Sequence, residues 1–120
     1  MPLVKFHMAE TVNDVTRDAV CAAVQAALVD TLEAPHEDLF QIVTRHKVDD
    51  LKASESWPGT SKREQILYIE ILMVRMYGLA EKRRMFKAIA DRVEACGIKR
   101  QDIFVADTEN GLDEWNAGTY

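Results

Sequence analysis

A strand-like run, a helix-like run and a second strand-like run follow one another twice along the chain, and this order restricts the fold more than any single motif does. In the first round, "PLVKFHM" alternates so that a strand puts Pro2, Val4, Phe6 and Met8 on one face. Pro2 is tolerated because it stands at the first strand position, where no ladder donor is lost. "ETVND" then offers Thr11 and Asn13 as helix caps, and Val20, Val24, Leu28 and Leu32 recur at four-residue spacing with Ala23 and Ala27 beside them. This predicts an amphipathic helix of about five turns. Pro35 in "LEAPHED" breaks it by disfavouring helical geometry at Ala34, and "LFQIVTR" reads as the second strand.

The second round begins after a polar stretch, residues 47–65, that contains Pro58-Gly59 and reads as a structured loop, a short helix or a cover over a site. "QILYIEILMVRMYG" is apolar and continuous apart from Glu70, which predicts a strand buried on both faces. "LAEKRRMFKAIADRVEACG" carries Phe86, Ile89 and Val93 at helical spacing, with Gly97 as its stop. "DIFVAD" supplies a final short strand, and a turn-rich tail follows.

Each crossover joins a parallel strand pair, so two of them make an α+β fold: one four-stranded sheet with both helices on one face. The expected division is a single domain over 1–120, with units at 1–46 and 66–106, the loop at 47–65 and the tail at 107–120. The other sheet face is left bare and partly apolar, which favours a symmetric homo-oligomer.

Composition narrows the partners. The 20 acidic residues outnumber 15 basic ones for a net charge of -5, so no general field gathers nucleic acid or an anionic membrane. The clusters "SKRE" and "EKRRMFK" read as a loop and a solvated helix face. Cys21 and Cys96 lack the spacing of a zinc or redox motif and read as buried thiols. No run reaches membrane-spanning length and no secretory pattern opens the chain, so the cytoplasm is the expected compartment.

The Met-Pro start, the doubled unit, "PHEDLFQIV", "GIKRQDIFV" and the tail's Glu109-Asn110, Trp115 and Gly118 together resemble the tautomerase superfamily, specifically its malonate semialdehyde decarboxylase-like branch. The resemblance runs nearly end to end and implies a trimer. It also implies site residues: Pro2 as the catalytic amino-terminal proline once Met1 is removed, Asp38 as the carboxylate beside it, and Arg75 as the first of two substrate-binding arginines. The second arginine's position holds Tyr77 here. Strand alternation puts residues 75 and 77 on one face, so Tyr77 is expected to point where that arginine would.

A free α-amino group titrates near neutrality, so its surroundings decide whether it starts as base or acid. The mechanism that the resemblance implies has Pro2, held cationic by Asp38, polarise the carbonyl of a 3-oxo acid while Arg75 binds the carboxylate; decarboxylation would follow, or hydration of an unsaturated acid if Asp38 activates water. No metal or organic cofactor is required. Held neutral, Pro2 would instead act as the base of a keto-enol tautomerase on a 2-oxo acid such as an aryl pyruvate. If Met1 is retained, the nitrogen is an amide, and a non-catalytic trimer of the same fold is the reading.

Other residues have plainer expectations. Arg75 on an apolar strand demands a ligand, partner or ion pair, since a buried unpaired guanidinium is costly. His7, His36 and His46 lie on separate segments without metal-ligand spacing and read as isolated histidines. Trp57 reads equally as part of a lid or as a loop anchor, and Trp115 as packed against a neighbouring element or subunit.

Overall fold

The computed structural model describes residues 2–59 and 62–119. The first run forms β1 (Leu3–Ala9), followed by α1 (Asp14–Leu32) and β2 (Gln41–His46). The second forms β3 (Leu67–Val74), α2 (Leu79–Ala95) and β4 (Ile103–Asn110). Single 3-10 turns occupy Val48–Asp50, Arg100–Asp102 and Leu112–Glu114.

The sheet order is β2-β1-β3-β4. Each unit contributes a parallel pair, β1 with β2 and β3 with β4, and the units meet through the antiparallel pair β1 and β3. The α+β architecture expected from the sequence is therefore present, with the two strands that open their units at the centre.

Both helices cover one sheet face and pack against each other. Val4, Phe6 and Met8 of β1 meet Ile69, Ile71 and Met73 of β3, under Val20, Val24 and Leu28 of α1 and Met85, Ile89 and Val93 of α2, all at most 2% exposed. In α2 the buried stripe is Met85, Ile89 and Val93, with Phe86 at its flank. Asn13 caps α1 by accepting from the Thr16 backbone N–H at 2.8 Å. Helix α1 ends before Pro35, at Glu33 in the left-handed region, and α2 ends at Cys96 with Gly97 at φ 99°.

Several expectations change. β3 is not buried on both faces: Ile69, Ile71 and Met73 point into the core, whereas Tyr68 and Leu72 are half-buried and Glu70 is exposed on the uncovered face. A single chain has no second layer for that face, so continuity of apolar residues does not become two-sided burial. β4 runs on to Asn110, into the segment read as tail, because the β3 ladder extends to the pair Val74 and Asn110. Cys21 and Cys96 are partly buried rather than fully buried, and burial pushes both thiols up. No helix among the described residues is long and apolar enough to cross a membrane.

The 47–65 segment contains the 3-10 turn and continues irregularly. The Tyr68 hydroxyl donates to the Lys52 carbonyl, and the Trp57 ring lies 6.5 Å from that of Phe104, which also meets Tyr68 edge-on. The described part of the loop is thus fixed at the start of β3 and β4. Pro2 lies at the other end of the sheet, so the described part of this loop does not cover the Pro2 of its own chain; Trp57 is an anchor, though 63% exposed.

Candidate active site

Pro2 is buried and stands one residue before β1. Two neighbours follow from the strand registers. Leu3 pairs with Leu72 of antiparallel β3, so Pro2 falls beside Met73, near the end of that strand. Val4 pairs with Gln41 of parallel β2, and the ladder continues upstream, where the Val4 N–H donates to the Phe40 carbonyl at 2.9 Å. Extending it two residues brings Pro2 alongside Leu39, and Asp38 is the residue before. Strands lie about 4.8 Å apart, so the fold itself draws Asp38 towards Pro2 across 36 positions of sequence.

The path of the chain through Asp38 is held from α1. Gln25 is 8% exposed on the helix face that carries Val24 and Leu28, and its Nε2 donates to the carbonyls of Asp38 at 3.2 Å and His36 at 3.4 Å. The Asp38 N–H closes the turn on the Pro35 carbonyl at 3.0 Å. Gln25 thus ties this turn to α1, and the sequence reading did not single it out. The available signal was a lone amide inside the apolar stripe of an amphipathic helix, which needs a hydrogen-bond partner once buried.

Tyr77 and Arg75 behave differently from one another. β3 stops at Val74, before both, so strand alternation does not extend to them. Tyr77 is partly buried against the core, while Arg75 is exposed. Burial raises the Tyr77 phenol above its ordinary range, and the charges of Glu81 and Asp38 push it the same way. Tyr77 therefore shares the electrostatic surroundings of Asp38 and remains a neutral donor at physiological pH. Arg75 is tethered through its backbone, the N–H donating to the Asn110 carbonyl at 2.9 Å, and no ion pair to it forms among the described residues. The burial argument for its having a partner therefore falls; what remains is an exposed guanidinium at the Pro2 end of the sheet.

The same end carries a second pair that the sequence reading did not identify. Lys82, in the second turn of α2, binds Glu109 at 2.6 Å, and both side chains are mostly buried, at 22% and 17% exposure. Glu109 Oε1 receives the lysine; Oε2 is buried without a hydrogen-bond partner among the described residues. Glu109 pairs with Met73 in the β3-β4 register, and Met73 lies beside Pro2 on its other flank. Asn110 Oδ1 accepts from the Trp115 indole N–H at 2.7 Å, which fastens the tail at this end.

Among the described residues no group of three or more His, Cys, Asp or Glu is arranged to hold a metal ion. The groups at this end of the sheet are the Pro2 nitrogen, a carboxylate, a neutral phenol and a guanidinium. Met1, on whose removal the free amine depends, lies outside the described residues.

Two β-α-β units joined antiparallel, with a proline opening the first central strand, define a tautomerase-type protein, and the comparisons agree. The family described as tautomerase enzyme matches residues 38–118, and the chain belongs to that family. A protein of Bacillus subtilis (strain 168) described as the probable tautomerase YrdN is 22% identical over 119 residues, spanning 98% of this chain and 92% of the relative. The crystal structure of FG41 malonate semialdehyde decarboxylase inhibited by 3-bromopropiolate superimposes with a TM-score of 0.91 at 29% identity, covering 97% of this chain and 88% of that one. A symmetric trimer of fused 4-OT gives a TM-score of 0.82 at 15% identity, covering 98% and 92%. Within the superfamily the likeness extends to the malonate semialdehyde decarboxylase-like branch.

Proposed function

We propose that the protein, with Met1 removed, uses the amine of Pro2 to decarboxylate or hydrate a small 3-oxo or unsaturated carboxylic acid without a cofactor. The observation that carries this reading is the β1-β2 ladder, which reaches Phe40 and so brings the Asp38 segment beside buried Pro2. Similarity to a malonate semialdehyde decarboxylase inhibited by a three-carbon halogenated acid supports the substrate class.

In this mechanism Asp38 keeps Pro2 cationic, and the secondary ammonium donates a hydrogen bond to the C3 carbonyl of the 3-oxo acid. Arg75, exposed at the rim, takes the carboxylate through its fork of N–H donors. The bond between C1 and C2 breaks, carbon dioxide leaves, and its electron pair becomes the enolate that the ammonium stabilises. A proton then returns to C2. For an unsaturated acid, Asp38 accepts a proton from water as the water oxygen bonds to C3, and the Pro2 ammonium gives its proton to C2 to complete the addition.

Tyr77 sets the preference among substrates. A neutral phenol gives one hydrogen bond where a second arginine would give a bidentate charged one, so the anion is held less tightly and its orientation is less narrowly fixed. Assembly as a homotrimer belongs to the same proposal. It is supported by the uncovered sheet face, where Ile42 is 48% exposed, and by the trimeric state of the fused 4-OT structure.

The test has two parts. Treatment with a 3-halopropiolate should place a covalent adduct on Pro2, located by peptide mass spectrometry; an adduct elsewhere, or an intact mass showing Met1 retained in the native host, overturns the proposal. Malonate semialdehyde consumption should then rise in Tyr77→Arg through a lower KM. Equal, strong activity in both forms would show that residue 77 does not set the preference.

A further inference from the structure

Three residues that are distant in sequence form one hydrogen-bonded array on the uncovered sheet face. His7 on β1 is central: its Nδ1 lies 3.0 Å from His46 Nε2 on β2, and its Nε2 lies 2.9 Å from Glu70 Oε2 on β3. Two of the three histidines expected to be isolated, His7 and His46, are therefore joined, because the parallel register puts Ala9, two residues from His7, opposite His46 and the antiparallel register puts Tyr68, two residues from Glu70, opposite His7. Nothing in the proposed chemistry uses them, and they lie away from the Pro2 end.

The geometry suits a shared proton rather than a metal ion. The ring centroids are 5.2 Å apart, about one ring diameter more than the N···N distance, so the two nitrogens face each other along nearly one line. An ion between two facing imidazoles needs about 2.0–2.1 Å to each nitrogen, or about 4 Å in all. One proton fits where an ion does not.

The number of protons the array can hold follows from its bonds. Ionised Glu70 accepts from His7 Nε2–H, which leaves Nδ1 as the acceptor for His46 Nε2–H when both rings are neutral. A first added proton keeps this chain intact, since one imidazolium still shares a single hydrogen with a neutral ring, and the Glu70 charge balances it. A second added proton sets N–H against N–H, breaks the contact and leaves a net positive charge on the face. Charged groups near the array include Lys5, which shares its face and is directly across from Glu70, Glu10 and Lys47, which follow β1 and β2, and Lys52, whose carbonyl is bound by the Tyr68 opposite His7. Tyr68, also on this face, is engaged with the Lys52 carbonyl. Lys5 opposes further positive charge; Glu10 is exposed and screened by solvent.

We infer that the His46-His7-Glu70 array makes association of copies through this sheet face dependent on pH, with the second protonation separating the subunits. The inference rests on the homotrimer reading above. An array on an open face is solvated in either state, but one covered by another copy cannot hydrate its extra charge. The separated chain therefore binds more protons than the assembled one, and linkage requires association to weaken as acidification drives the second proton onto the array.

Sedimentation velocity or light scattering of the full chain at pH 8 and pH 5 tests this. The expected result is a threefold fall in mass on acidification, reversible on return to pH 8. His46→Gln, which keeps a neutral hydrogen-bonding group but takes no second proton, should remain assembled at pH 5. Wild type assembled at both pH values, or His46→Gln dissociating as wild type does, overturns the inference. A monomer at pH 8 overturns it together with the trimer reading, whereas the catalytic reading stands or falls separately on the Pro2 adduct.

Discussion

Replacing Gln25 by leucine separates the stability of the protein from the positioning of Asp38. The two hydrogen bonds lost, to the carbonyls of Asp38 at 3.2 Å and His36 at 3.4 Å, are long, so each is worth about 0.5 kcal/mol net and the pair about 1 kcal/mol. Those carbonyls lie on an exposed to half-exposed turn and can take water instead, which avoids the full penalty of stranding them. Leucine in the mostly apolar helix face returns a comparable amount by burial, on the order of 1 kcal/mol. Net stability should therefore change by no more than about 1 kcal/mol, read as the urea midpoint. The turn, however, loses its tether to α1, and displacing the carboxylate proposed to act beside Pro2 should cost disproportionately in rate. A fall of about tenfold in the rate of Pro2 labelling by a 3-halopropiolate, and in kcat/KM, corresponds to about 1.4 kcal/mol at the transition state. An unchanged labelling rate in a variant of unchanged stability would refute the idea that Gln25 positions Asp38.

Three further outcomes follow from the fold. The Tyr77 phenol is raised by burial first and by Glu81 and Asp38 next, so the fold favours its neutral form. Its contribution to stability is complete below the unfolded value of 10.0 and is lost as pH rises through the higher folded value; thermal melts from pH 9 upward should show a loss that is smaller in Tyr77→Phe. Phe6→Ala empties a site with 0% exposure between both helices and the sheet, and should cost about 3–5 kcal/mol in denaturant titrations. Asn13→Ala removes the cap on Thr16 N–H and should cost about 1 kcal/mol, seen as a lowered Tm with Pro2 labelling unchanged.

The elements legible in the sequence are those whose cause is local. Alternation in β1, the four-residue spacing in α1, Asn13 as a cap and Gly97 as a stop each follow from backbone geometry within a few residues, and each is present. The apolar run of β3 is buried on one face only within a single chain, because composition records what a strand can bury and not whether the same chain supplies the layer. Arg75 was expected to be buried on the strength of its apolar neighbours, yet the strand ends at Val74 and leaves it exposed. Gln25 and the Lys82-Glu109 pair escaped notice because their partners are carbonyls and side chains on other elements, which no spacing rule reports.

The sequence by itself determined the two β-α-β units and, through resemblance, nominated Pro2, Asp38, Arg75 and Tyr77, since periodicity and motif are properties of neighbouring residues. Only the tertiary structure decided that the units meet antiparallel through β1 and β3, which puts Pro2 beside the end of β3 and the start of β2 together. That same pairing set His7 between His46 and Glu70. Register is the reason in both cases: it is fixed by how buried faces fit across the sheet, and a slip of one residue would turn Pro2 and His7 to opposite sides.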